Sequence, residues 1–131
     1  DLIKYDYIIL PGYLIKQLAS NTVDVFVNTR SFMEMNIETV NFYFSQIHRL
    51  INKSGIFYCV NRYKKKTSGD IIKFKKFPFD ENWSFEISKK SFSQPLIHEA
   101  LLKRTLLRNY KLRKELMRLK PYDFEFFRNL I

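Results

Sequence analysis

Short runs in which nearly every position is apolar punctuate the first half of the chain, and one longer run carries apolar residues every three to four positions. Tyr7–Leu10, stopped by Pro11 and Gly12, predicts a buried strand. Tyr13–Ala19 fits one or two helical turns, with Leu14, Ile15 and Leu18 on one side. Val23–Val27 is β-branched and aromatic, which predicts a strand covered on both faces. Val40, Tyr43, Phe44, Ile47, Leu50 and Ile51 then repeat at the spacing of one helix face. Asn36 is the expected N-cap, Glu38 suits the positive helix end, and Gly55 is expected to stop the helix. Ile56–Val60 predicts the next strand. Strand, helix and strand within about forty residues form a βαβ unit whose strands run parallel.

The pattern changes at Arg62. RYKKKTSGD reads as a charged, solvated loop. Ile71–Phe79 alternates in part, through Ile72, Phe74, Phe77 and Phe79, with Lys73, Lys75 and Lys76 holding it at a surface. Trp83–Ile87 and Leu96–Lys103 predict two strands joined by the turn-like KKSFSQP, hence an antiparallel pair. Leu106–Lys120 predicts a helix with Leu112, Leu116 and Leu119 on one face. Pro121 ends it and starts a last turn through Phe124 and Phe127. The chain divides into a βαβ part (1–61), a basic β part (62–105) and a helical segment (106–131) of a single domain.

Composition narrows the class. At 131 residues with 46% hydrophobic and 17% aromatic content, one domain with a substantial core is expected rather than disorder. No stretch is long and apolar enough to span a bilayer. The start, DLIKYDYIIL, has no leader pattern and looks like a cut inside a longer protein. The lone cysteine, Cys59, forms no disulfide within the chain, fits a cytoplasmic setting and reads as a core thiol. The net charge of +10 is uneven. Five basic and five acidic residues balance in 1–61, whereas 18 basic face 8 acidic in 62–131. That asymmetry suggests an anionic partner. Tyr63, Phe74 and Phe77 interleave with lysines as base-stacking surfaces do, so a nucleic-acid or polyanion module is one reading.

Familiar chemistry is largely absent. Three glycines, Gly12, Gly55 and Gly69, make no phosphate loop. His48 and His98 have no cysteine or carboxylate at ligand spacing, so no metal site is expected, and His48 reads as solvated.

The unusual stretch is NTRSFMEMN, between the strand and the helix. Plain connectors use Gly and Pro. This one uses Asn28, Ser31 and Glu34 among Phe32, Met33 and Met35. Together with a following strand that ends in Asn61 and Arg62, the segment DVFVNTRSFMEMNIETVNFYFSQIHRLINKSGIFYCVNR resembles the second half of class I S-adenosylmethionine-dependent methyltransferases. It is most similar to the sugar O-methyltransferase group. The later FPFDENW and the His98-Glu99-x-Leu101-Leu102-x-Arg104 run are similar to that group's last strands.

The resemblance implies an α/β fold, a partial Rossmann-like sheet of strands four to seven in the order 4-5-7-6, the last pair antiparallel, with flanking helices. It implies an S-adenosylmethionine-dependent O-methyltransferase whose acceptor is a sugar or another small molecule. The family's glycine loop and ribose-binding acid belong to strands one and two, which this sequence lacks. The chain is therefore expected to be the C-terminal part, to need the missing N-terminal half, and to bind no S-adenosylmethionine alone. Ligands of open α/β sheets sit beyond the carboxyl ends of the strands. Asn28, Ser31, Phe32, Met35, Asn61, Arg62 and His98 are expected beside substrate or cofactor, with Phe32, Met33 and Met35 as an apolar wall; the alternative is that Met33 and Met35 belong to the core and that Ser31 and Glu34 cap the next helix. Glu34 is expected to face a cleft as the catalytic base. With strand one missing, Val23–Val27 should be an exposed edge, inviting a homodimer through that edge, through Tyr7–Leu10, or through both.

Overall fold

The computed structural model describes residues 4–66 and 71–119. Its main sheet contains β1 (Val23–Thr29), β2 (Ile51–Arg62), β5 (Trp83–Lys90) and β6 (Ile97–Arg104), in the order β1-β2-β6-β5. A small ribbon pairs β3 (Lys64–Lys66) with β4 (Ile71–Lys73). Helix α1 (Ile37–Leu50) joins β1 to β2, and α2 (Leu112–Arg118) follows β6. β1 and β2 are parallel, whereas β6 is antiparallel to both β2 and β5. This is the α/β sheet with the order and directions expected.

α1 forms as its periodicity dictates. The Asn36 side chain accepts from the Thr39 N–H at 2.8 Å, and Val40, Phe44, Ile47 and Leu50 are buried. The helix ends at Leu50 without glycine, because Ile51 turns extended and enters β2 directly. Gly55 instead lies inside β2, where the register with β1 shifts. A Cβ there would come within 3.0 Å of the Asp24 carbonyl oxygen, so the strands close only around glycine.

The core is aromatic. Phe32, Phe44, Phe57, Phe74, Phe77, Phe79 and Trp83 are all buried against one sheet face, together with Leu112 and Leu116 of α2. Each such side chain contributes roughly 1.5–3 kcal/mol by leaving water. Phe44 sits at the centre, with ring centroids 4.9–5.9 Å from those of Phe32, Phe57, Phe77 and Phe79.

The other sheet face is open, contrary to the expectation for β1. Val25 and Val27 are more than half exposed, because no element packs over them among the described residues. In register across the four strands, Val27, Tyr58, Leu101 and Ile87 form a transverse apolar row on this face.

Three further expectations need correction. Tyr7–Leu10 is not a strand: it has no regular structure and is exposed, since no strand of the described residues pairs with it. The following Gly12–Gln17 forms the helical turns expected there, as a 3-10 helix with Leu14, Ile15 and Leu18 partly buried, held to α1 where Arg49 donates to the carbonyls of Ile15 and Leu18. The lysine run after Arg62 is a strand rather than a loop, and β4 is only three residues before Phe74–Lys76 turns into a 3-10 helix. The C-terminal helix is confined to Leu112–Arg118, with Leu106 and Leu107 exposed. Pro121, Phe124 and Phe127 lie outside the described residues.

Candidate functional site

The carboxyl ends of β1 and β2 are the rim at which a ligand site is expected. Strand alternation and register decide which side chains meet there. On the covered face, the row Phe26, Phe57, Leu102 and Phe85 is apolar. One step toward the rim come Asn28, Cys59, Ala100 and Ser88. At the rim itself, Asn61, His98 and Lys90 stand in register. The face thus passes from an aromatic floor to a polar edge.

These polar groups are connected. Asn61 Nδ2 donates to Asn28 Oδ1 at 2.9 Å and to Cys59 Sγ at 3.4 Å. Asn28 Nδ2 in turn donates to Ser31 Oγ. Asn61 is fully buried and its Oδ1 has no partner among the described residues. Such an orphan costs about 1–3 kcal/mol, so an acceptor is left waiting for a donor. The turn that carries Ser31 is strained. Arg30 adopts φ 63°, which lets its N–H reach the Val60 carbonyl at 2.7 Å and extends the β1–β2 pairing past Thr29.

His98 anchors a second network. Its Nδ1 is 2.6 Å from the Tyr63 hydroxyl and its Nε2 is 3.1 Å from Ser88 Oγ. Burial pushes its pKa down to about 4, against a smaller upward pull from Glu99, so the imidazole is neutral at physiological pH. Burial likewise pushes the Cys59 thiol up to about 12, beyond what the bond from Asn61 offsets, and the thiol stays protonated and inert.

The remaining candidates lie apart. Glu34 stands at the surface, its side chain 64% exposed and ion-paired to Lys65. Phe32 and Met33 are core rather than wall, because the 3-10 turn Phe32–Glu34 drives both inward, and Met35 packs partly against the same core. Arg62 is exposed on the opposite sheet face from Asn61, as strand alternation requires, beside a groove formed by Ser93–Ile97. The structure therefore brings together Asn28, Ser31 and Asn61, sets His98 across from Asn61, and leaves Glu34, Phe32 and Arg62 elsewhere. Tyr63 and Ser88, the partners of His98, carry no sequence signal beyond the position of Tyr63 two residues after Asn61.

The three aromatics read as a stacking surface are not one. Phe74 and Phe77 are fully buried and Tyr63 is nearly so, because the ribbon folds its apolar side onto the core. His48 is not simply solvated either. It stands 3.7 Å from Asp80, against Phe44 and Trp83, with its Nε2 unpartnered among the described residues. Burial lowers its pKa, while Asp80 opposes the shift. Asp80 itself is raised by burial, but Arg104, His48 and the Asn82 N–H together hold it below its ordinary value. Among the described residues no group of side chains is arranged to hold a metal, and no helix is long and apolar enough to cross a membrane.

No family model matches this chain, and no curated protein matches it. Among solved structures it is similar to one described as a "putative type 11 methyltransferase" from Sulfolobus solfataricus, at 20% identity, with a TM-score of 0.47. The similarity covers 71% of this chain and 56% of that one, so the chain spans little more than half of that protein.

Proposed function

We propose that this chain is the C-terminal part of an S-adenosylmethionine-dependent O-methyltransferase and supplies the acceptor side of its site. The observation that carries the reading is the buried Asn28–Asn61 pair, at the carboxyl ends of adjacent parallel strands, with the buried Asn61 Oδ1 unpartnered among the described residues. A hydroxyl of a sugar or another small molecule is a donor of the kind that acceptor lacks. The resemblance of residues 24–62 to sugar O-methyltransferases favours the same class.

The described residues do not by themselves fit S-adenosylmethionine. Gly55 is consumed inside β2 and Gly12 opens a 3-10 turn, so neither forms a glycine loop after a strand. The methyl donor belongs to the longer protein, and this chain's part is to hold and orient the acceptor. Asn28, Ser31 and Asn61 provide a fixed hydrogen-bonding edge, and neutral His98, bonded to Tyr63 and Ser88, braces the strand beside it. Glu34, ion-paired at the surface, is the base only if the rest of the domain covers it.

The test uses the longer polypeptide with isotope-labelled S-adenosylmethionine and a panel of sugar acceptors. Label transfer that falls in Asn61→Leu and in Glu34→Gln, at unchanged melting temperature for the latter, supports the reading. Absence of transfer to any hydroxyl acceptor overturns it. The rival reading, a basic module for nucleic acid or another polyanion, rests on the charge of the second half. It requires affinity that collapses as salt rises, through counterion release.

A further inference from the structure

The β3–β4 ribbon places like charges against each other. Lys64 lies directly opposite Lys73 in the antiparallel register, and Lys66 opposite Ile71. Alternation sends Lys65 and Ile72 to the inner side, where Ile72 is buried and Lys65 pairs with Glu34. Lys64, Lys66 and Lys73 share the outer side, and none has a carboxylate within ion-pair distance among the described residues. Like charges directly opposite each other destabilise a strand pair, and a two-stranded ribbon has little stability to lose. Such an arrangement is held at a cost that a bound anion would remove.

The ribbon's position gives that anion a context. The Phe74 N–H donates to the Tyr63 carbonyl at 3.0 Å, and the Phe74 ring lies 4.9 Å from that of His98. Lys65 reaches Glu34 on the turn after β1. The ribbon thus lies along the carboxyl-end rim that carries Asn28, Asn61 and His98.

We infer that the outer face of this ribbon, Lys64, Lys66 and Lys73, binds a phosphate or diphosphate group carried by the acceptor. The acceptor's role rests on the transfer reading above; the anion site itself does not. Directly opposed residues have Cβ atoms about 5 Å apart, so two ammonium groups converge on one phosphate. The third lysine is one alternation further along the same face. The patch is therefore compact, the size of a diphosphate rather than of an extended polymer. Tyr63, Phe74 and Phe77, the aromatics that flank the ribbon in sequence, are buried and offer it no stacking surface.

Inorganic pyrophosphate is the probe, added to the chain by calorimetric titration without S-adenosylmethionine, in chloride of matched ionic strength. Binding is expected, and Lys64→Ala with Lys73→Ala should weaken it at least about tenfold, the loss of one charge-assisted hydrogen bond or more. Lys64→Glu is the second variant. It creates a cross-strand ion pair with Lys73, so it should preserve the fold and still abolish binding. Lys53→Ala with Lys103→Ala, at the opposite end of the main sheet, should leave binding unchanged. Undetectable binding at millimolar pyrophosphate, equal binding by the Lys64→Glu variant, or much tighter and steeply salt-dependent binding of an oligothymidylate would each overturn the inference. Because no methyl transfer is read, failure here leaves the transfer reading standing, and failure of transfer leaves the pyrophosphate result intact.

Discussion

Asn61 on β2 donates its side-chain amide to Asn28 on β1 at 2.9 Å, joining two parallel strands just where their backbone pairing runs out. Both side chains are buried, so neither can exchange this bond for water. Asn61→Ala should therefore cost about 1–3 kcal/mol, as Asn28 Oδ1 loses its donor. Asn61→Asp should cost more, about 3–5 kcal/mol near neutral pH, since it buries a charge facing an acceptor. Urea unfolding at pH 7 checks both, and a variant Asp less damaging than Ala would show that the site admits water.

The pH dependence of stability should point the same way for both described histidines. His98 is held neutral by burial, with a pKa of about 4 folded against an ordinary 6.5. His48 is also lowered. The unfolded chain then takes up protons that the folded chain refuses. Stability contributed by His98 is fully present above about pH 6.5 and is lost as pH falls toward 4. Asp80, held below its ordinary 3.8, adds its own loss only at lower pH. Urea midpoints measured from pH 7.5 to pH 4 should fall, and the fall should shrink in His98→Gln. A flat profile would place His98 in water.

Arg30 has a left-handed backbone, φ 63°, in the turn between β1 and the Phe32–Glu34 turn. A non-glycine residue there costs about 1–2 kcal/mol. Arg30→Gly relieves that strain but loosens the unfolded chain, so a net gain of up to about 1 kcal/mol is expected in the denaturation midpoint. A net loss would show that the Arg30 side chain contributes contacts of its own.

Phe77 separates the core from the stacking interpretation. It is fully buried, edge-on to Phe32 at 5.6 Å. Phe77→Ala should cost about 3–5 kcal/mol. Phe77→Leu, which keeps most of the volume, should leave any oligonucleotide affinity of the chain unchanged in a fluorescence titration. A large drop in that affinity would return Phe77 to the surface.

The βαβ unit was legible because residues 23–60 write both periods locally: β-branched runs for the strands and a three-to-four repeat for α1. The site was legible in part for the same reason. Asn28 and Asn61 are polar residues closing apolar strands, and two adjacent parallel strands must bring their carboxyl ends together. What failed depended on partners far along the chain. Tyr7–Leu10 is apolar enough for a buried strand, but burial needs a neighbour. His48 looked solvated because Asp80 and Trp83, which enclose it, come more than thirty residues later. The lysines of β3 signalled water, and only the burial of Ile72 and Phe74 on the partner segment fixes that ribbon to the core. Phe32 and Met33 read as a site wall because a 3-10 turn, unlike a helix or strand, has no period long enough to reveal its inward face.

The β1 edge yields the last expectation. Among the described residues, the order β1-β2-β6-β5 leaves one long side of Val23–Thr29 without a strand beside it. Val25 and Val27 are 56% and 57% exposed, and no charged residue interrupts the four residues from Val25 to Asn28. An unprotected apolar edge recruits another strand. Two supplies exist on a second copy: its own β1, which would give a continuous sheet across a two-fold axis, or its irregular Tyr7–Leu10, where Tyr7 and Ile9 are 92% and 98% exposed. Either way, association should be lost when the edge is charged, because an unpaired lysine on an incoming strand carries its water with it. Sedimentation at high micromolar concentration should show a dimer for the chain and a monomer for Val25→Lys with Val27→Lys. Deletion of residues 1–10 then distinguishes the two supplies: the dimer persists if β1 pairs with β1, and vanishes if Tyr7–Leu10 is the added strand. A monomeric wild-type chain at that concentration would refute edge pairing in both forms.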